Sequence, residues 1–184
     1  LGPLPGDPES VSLRVIEPFV EFSKTIVTAP LDAGDTLVYE IVARNSTTGT
    51  DAVAAFDIHV LDDLDADFGA GVIASTTVTW DPTFAPGAVV TDNTAGNSVA
   101  LDIDRLDPGE FVIITVTSVL ADDVPAGLRL LNTATLTDTS LPGTNGTLIN
   151  PTGSSTPGAP GTAQGERTGE DGPGPGDQVL NNYF

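Results

Sequence analysis

The sequence predicts an all-β protein: an immunoglobulin-like antiparallel β-sandwich of about seven to nine strands, with a long Gly/Pro-rich loop or tail. Three observations support this. Apolar residues alternate with polar ones in short runs, and no long stretch repeats them at helical spacing. Glycine and proline, 20 and 15 of the 184 residues, break those runs at turn positions. Apolar residues make up 39% of the chain, enough for a core, and there is no cysteine to staple it.

Residues 1–18 read as an N-terminal arm and candidate donor strand, 19–138 as the sandwich core, and 139–184 as a Gly/Pro-rich loop with a truncated terminal strand. Within the arm, residues 10–16 alternate, with Val11, Leu13 and Val15 on one face. Pro18 punctuates the chain, and residues 19–27 form the next strand, placing Val20, Phe22, Lys24 and Ile26 together. A turn at 32–35 leads to a strand over 36–45, whose inward face is Leu37, Tyr39, Ile41 and Ala43. After a polar loop at 46–51, the strand at 53–62 aligns Ala54, Phe56, Ile58, Val60 and Asp62. Residues 63–71 are an acidic loop. Weaker strands at 72–80 and 98–103 are joined by a Pro/Gly/Asn loop. Residues 106–110 turn the chain into 111–120, a near-continuous apolar run suited to a central strand. A further turn at 122–127 precedes the last clear strand, 128–138, with Leu130, Asn132, Ala134 and Leu136 on one face. Residues 139–176 lack periodicity, and 179–184 turn apolar again like a strand that begins.

Lys24, the sole lysine, therefore points into the core, as do Asp62 and Asn132. A buried ammonium is costly unless it is paired or loses its charge. An amine, a carboxyl and a carboxamide brought together in a dry core are the parts of an intramolecular isopeptide bond. Lys24 would attack the carboxamide carbon of Asn132, with Asp62 as proton shuttle. The same three residues could instead form a buried hydrogen-bonded ion pair with no bond made.

The residues also carry a resemblance. Ser23-Lys24-Thr25, Ala33-Gly34-Asp35-Thr36-Leu37-Val38-Tyr39, Asn45, Val60-Leu61-Asp62-Asp63-Leu64, Leu106-Asp107-Pro108-Gly109-Glu110 and Leu131-Asn132-Thr133-Ala134-Thr135 occur in that order. The set resembles the repeat domain of bacterial and archaeal secreted surface proteins known as domain of unknown function eleven, which is similar to fimbrial isopeptide-forming domains. The resemblance spans about Val11 to Asp138. It implies a β-sandwich stalk module at the cell surface, with Lys24, Asp62 and Asn132 at the family's lysine, aspartate and asparagine positions. Asp63-Leu64-Asp65 departs from the proline-containing turn usual there, which leaves open whether Asp62 or Asp63 faces the lysine. In tandem arrays the segment resembling 10–18 follows the segment resembling 181–184. Its position here suggests that Val11, Leu13 and Val15 complete the sandwich of a neighbour, head to tail, as a donor strand. Folding back onto its own domain is the alternative.

The expected function is thus that of an extracellular structural protein, a filament, pilus or stalk subunit. The rival is an adhesin repeat that binds a glycan, host or cell-surface ligand through its 139–176 loop. The net charge of −20 argues against nucleic acid and anionic membrane surfaces as partners. No apolar run is long enough for membrane insertion. No nucleophile–base pair, phosphate loop or metal motif supports an enzyme with turnover. No cofactor is expected other than a candidate calcium ion at Asp62, Asp63, Asp65 and Asp67, where a solvated acidic surface is the commoner explanation. Asp122 and Asp123, and Glu166, Glu170 and Asp171, form further acidic groups. His59 reads as a surface residue and Trp80 as core or rim packing. Asn45-Ser46-Thr47 and Asn145-Gly146-Thr147 fit the glycosylation sequon, a pattern short enough to occur by chance.

Overall fold

The computed structural model describes residues 18–47, 52–142 and 178–183, the last as backbone only. The arm residues Val11, Leu13 and Val15, the acidic group Glu166, Glu170 and Asp171, the sequon at Asn145 and residues 143–177 lie outside the described residues.

Two antiparallel sheets face each other. The first has the order β1-β2-β7-β4 and the second β5-β6-β3-β8-β9. Their strands are β1 (Val20–Thr28), β2 (Thr36–Asn45), β3 (Ala55–Asp63), β4 (Ile73–Asp81), β5 (Val90–Asp92), β6 (Ser98–Leu106), β7 (Phe111–Leu120), β8 (Leu131–Thr139) and β9 (Gln178–Tyr183). The architecture is the immunoglobulin-like β-sandwich that the alternating pattern predicts. β7 sits between β2 and β4, so its near-continuous apolar run packs a central strand. Leu37, Tyr39, Ile41 and Ala43 from β2 and Val112, Ile114 and Val116 from β7 are fully buried between the sheets.

Three local features differ from the sequence expectation. First, Asp57 adopts φ 48°, the left-handed region that Asp tolerates better than most residues. The β3–β8 register shifts between Phe56 and His59 at this point. The bulge inverts the parity before it: Ala55 is buried, whereas Phe56 is only half-buried and lies under the Arg105 guanidinium. Second, the acidic loop contains one helical turn, α1 (Leu64–Phe68), capped by Asp63, whose side chain accepts from Ala66 N at 3.1 Å. Third, the loop between β4 and β6 holds the three-residue β5.

Asn45 ends β2 and is fully buried. Its Nδ2 donates to Val53 O and Leu106 O, both at 2.8 Å, and its backbone pairs with Gly109 and Glu110. The sequon at Asn45 is therefore a structural clamp, with its amide occupied in the folded protein. Asn45→Ala strips two carbonyls of their donor. It is expected to destabilise the fold by roughly 2–4 kcal/mol, seen as a lower urea midpoint at unchanged m value.

Candidate cross-linking site

β1 alternates as its sequence requires, with Val20, Phe22 and Lys24 buried and Glu21, Ser23 and Thr25 exposed. The Lys24 side chain has no solvent exposure, nor does that of Asp62. Lys24 pairs across the ladder with Ile41, and Ile26 with Tyr39, so the lysine and the tyrosine are diagonal neighbours in one sheet. Asp62 pairs with Ala134 in the other sheet, placing Asn132 two residues along the adjacent strand. The amine and phenol thus come from one sheet and the acid and carboxamide from the other. β1 also packs against β8, the strand that carries Asn132.

Lys24 Nζ donates to Asp62 Oδ2 at 2.8 Å. Tyr39 OH donates to the same oxygen at 2.6 Å. Lys24 Nζ lies 4.3 Å from the centre of the Tyr39 ring. Asn132 is fully buried, and its carboxamide adjoins the Tyr39 phenol. Its Oδ1 and Nδ2 are both buried and unpartnered, and so is Asp62 Oδ1. Each such orphan costs about 1–3 kcal/mol.

Burial pulls the Lys24 amine below the ordinary lysine range, against the opposing attraction of Asp62. It pushes the Asp62 carboxyl above the ordinary aspartate range, against the charge of Lys24 and the hydrogen bonds from Lys24 and Tyr39. Burial, then the Asp62 charge, raises the Tyr39 phenol, which stays protonated as a donor. Both shifts within the Lys24–Asp62 pair favour an uncharged amine beside an uncharged acid. That is the protonation state in which an amine is a nucleophile and a carboxyl can donate to an amide oxygen.

Asp62, not Asp63, faces the lysine; Asp63 caps α1 instead. The other acidic residues of this segment diverge. Asp65 Oδ1 accepts from Asn97 Nδ2 at 3.1 Å, and Asp67 Oδ2 accepts from the backbone amide of Thr133. Among the described residues no group of three or more His, Cys, Asp or Glu side chains is placed to hold a metal ion. His59 is half-buried rather than freely exposed, its Nδ1 lying 2.6 Å from Asp102 Oδ1. Trp80 sits at the rim, 37% exposed. Among the described residues no helix is long and apolar enough to cross a membrane.

No family model and no curated protein matches the chain. Solved structures of pilin and adhesin domains do. The major pilin subunit BcpA of Bacillus cereus is 16% identical, over 89% of this chain and 55% of that one, with a TM-score of 0.47. Two domains of the major pilin SpaD from Corynebacterium diphtheriae are 22% identical, over 65% of this chain and 46% of that one, at 0.42. The collagen-binding domain of a Staphylococcus aureus adhesin is 11% identical, over 93% and 98%, at 0.38. The chain spans about half the length of the two pilin structures.

Tyr39 is the member of the site that sequence reasoning missed. Its signal was present: an inward-facing tyrosine in a central strand needs a partner for its hydroxyl. Tyr39→Phe removes one of the two donors to Asp62 Oδ2. It is expected to lower stability by about 1–2 kcal/mol, or roughly 2–8 °C in Tm, by calorimetry.

Proposed function

We propose that this chain is a structural module of an extracellular filament or stalk, and that its core makes one Lys24–Asn132 isopeptide bond. The observation that carries this reading is the burial of Lys24, Asp62, Tyr39 and Asn132 in one cluster drawn from both sheets. The orphaned carboxamide adds to it, since a purely structural Asn132 would be expected to find partners.

In the proposed reaction the neutral Lys24 Nζ attacks Asn132 Cγ. A protonated Asp62 donates to Asn132 Oδ1 and polarises the carbonyl. The C–N bond to Nδ2 breaks, Nδ2 takes the proton shed by Nζ by way of Asp62, and ammonia leaves. Asp62 ends in the state in which it began. The reaction occurs once and replaces a buried amine and primary amide with one uncharged secondary amide. The bond ties the two sheets together without cysteine, which suits a module that bears load outside the cell.

In this reading, links between subunits come from the N-terminal strand, with Val11, Leu13 and Val15 entering the next sandwich. Electron microscopy and light scattering of the purified chain test this part. Polymers that disappear on deletion of residues 1–17 are expected. A chain that stays monomeric when concentrated, or polymers that survive the deletion, would contradict it.

A further inference from the structure

The strand directions define two poles. At one pole β1 begins, β2 and β6 end and β7 begins; at the other β1 ends, β2 begins, β7 ends and β8 begins. Of the large apolar side chains exposed among the described residues, only Leu61 lies between the poles. Val27, Leu31, Leu128 and Leu131 gather at the second, and Trp80, Phe84 and Val89 near the first. Phe84 stacks on Phe111 there, with ring centres 4.3 Å apart.

The second pole contains a groove of about 210 Å³ between the β1–β2 and β7–β8 connections. Leu31, Leu120, Val124, Pro125, Leu128 and Leu130 line it. Leu31 is 95% exposed and the neighbouring Val27 56%, so the apolar surface continues from the groove to the end of β1. Asp32 is part of the lining, and Asp122 and Asp123 stand in the adjoining turn. β1 is the edge strand of its sheet and ends beside the groove, with β9 near it.

The arm leaves from the other pole. Ser46 N donates to Phe19 O at 2.8 Å, so the β1–β2 ladder runs one residue past β1. β1 therefore starts at the pole away from the groove. A residue that precedes proline favours extended backbone, so Pro18 works against a tight reversal at that point. β8 ends and β9 begins toward the first pole as well.

We infer that the groove receives the N-terminal strand of a second copy of this chain, with Val11, Leu13 and Val15 against the leucines and Arg14 toward the acidic rim. The inference rests on the head-to-tail reading above and assigns its acceptor surface. Three observations support this occupant. The described chain begins at the pole opposite the groove, as end-to-end addition requires. The apolar character of the strand and of the groove matches. Arg14 is one of six Lys and Arg residues against 26 acidic ones, and strand alternation would set it on the face opposite Leu13.

Complementary variants of the full chain test this. Leu13→Asp should disable the donor and leave the groove intact. Leu31→Asp with Leu128→Asp should disable the groove and leave the donor intact; both residues are solvent-exposed, and circular dichroism checks the fold. Leu31→Asp alone serves if the double variant misfolds. Each variant alone is expected to lose association at least tenfold by sedimentation. Mixed, they should form a heterodimer of one copy each, which neither can extend. Polymers that persist in the groove variant would place the donor elsewhere and overturn this inference while leaving head-to-tail assembly intact. A wild-type chain that never associates would overturn both.

Discussion

Asn132→Ala is expected to lengthen the unfolded chain under load by roughly 350 Å relative to wild type. The proposed bond closes a loop of about a hundred residues, from Lys24 to Asn132, that cannot extend while the bond holds. A chain gains at most about 3.3–3.6 Å per residue when pulled straight. Single-molecule force spectroscopy through the two ends reads this difference directly. The variant keeps the Lys24–Asp62 hydrogen bond, so it separates loss of the staple from loss of the buried pair. Opening that loop is also expected to cost roughly 4–5 kcal/mol of stability by the chain-entropy treatment of cross-links. Equal extensions for the two proteins would mean that no load-bearing bond joins the sheets.

Asp62→Ala is expected to be the more damaging change. It removes the acceptor of both Lys24 Nζ and Tyr39 OH. The amine is then buried without a partner, a situation that costs about 3–5 kcal/mol. The bond also fails to form, because nothing remains to polarise the carboxamide or carry the proton. The two losses share one cluster and will not add simply. Asp62→Asn separates them: it retains an acceptor oxygen for the two donors but has no acid proton to transfer. That variant is expected to fold with a smaller loss and to show the full calculated mass. A cross-link in Asp62→Asn would remove Asp62 from the proposed chemistry.

Much of this was legible in the sequence, for reasons visible in particular strands. β2 and β7 coincide with their predicted bounds because the ladder between them is regular along its whole length, and the irregularities of their other ladders fall on β1 and β4, so each keeps a strict two-residue period. The same period placed Lys24, Asp62 and Asn132 inside. The period failed where the backbone left it. At Asp57 a left-handed residue reset the parity of β3, leaving Phe56 half-buried and burying Ala55. α1 is a single capped turn, too short to show helical spacing. β5 is three residues long and its strand character comes from β6 beside it. Asn45 fitted the glycosylation sequon only as a short pattern, and three residues of sequence contain no information about the carbonyls of Val53 and Leu106 that meet it in the fold. Tyr39 was placed correctly on the inner face, but its bond to Asp62 crosses between sheets, and alternation along one strand does not reveal partners on another.

The intact mass of the folded wild-type protein tests the central claim most directly. A mass below the calculated value by one ammonia, with Lys24→Met and Asn132→Ala each at their full calculated masses, is the predicted result. A folded wild-type chain at its full calculated mass would contradict the account.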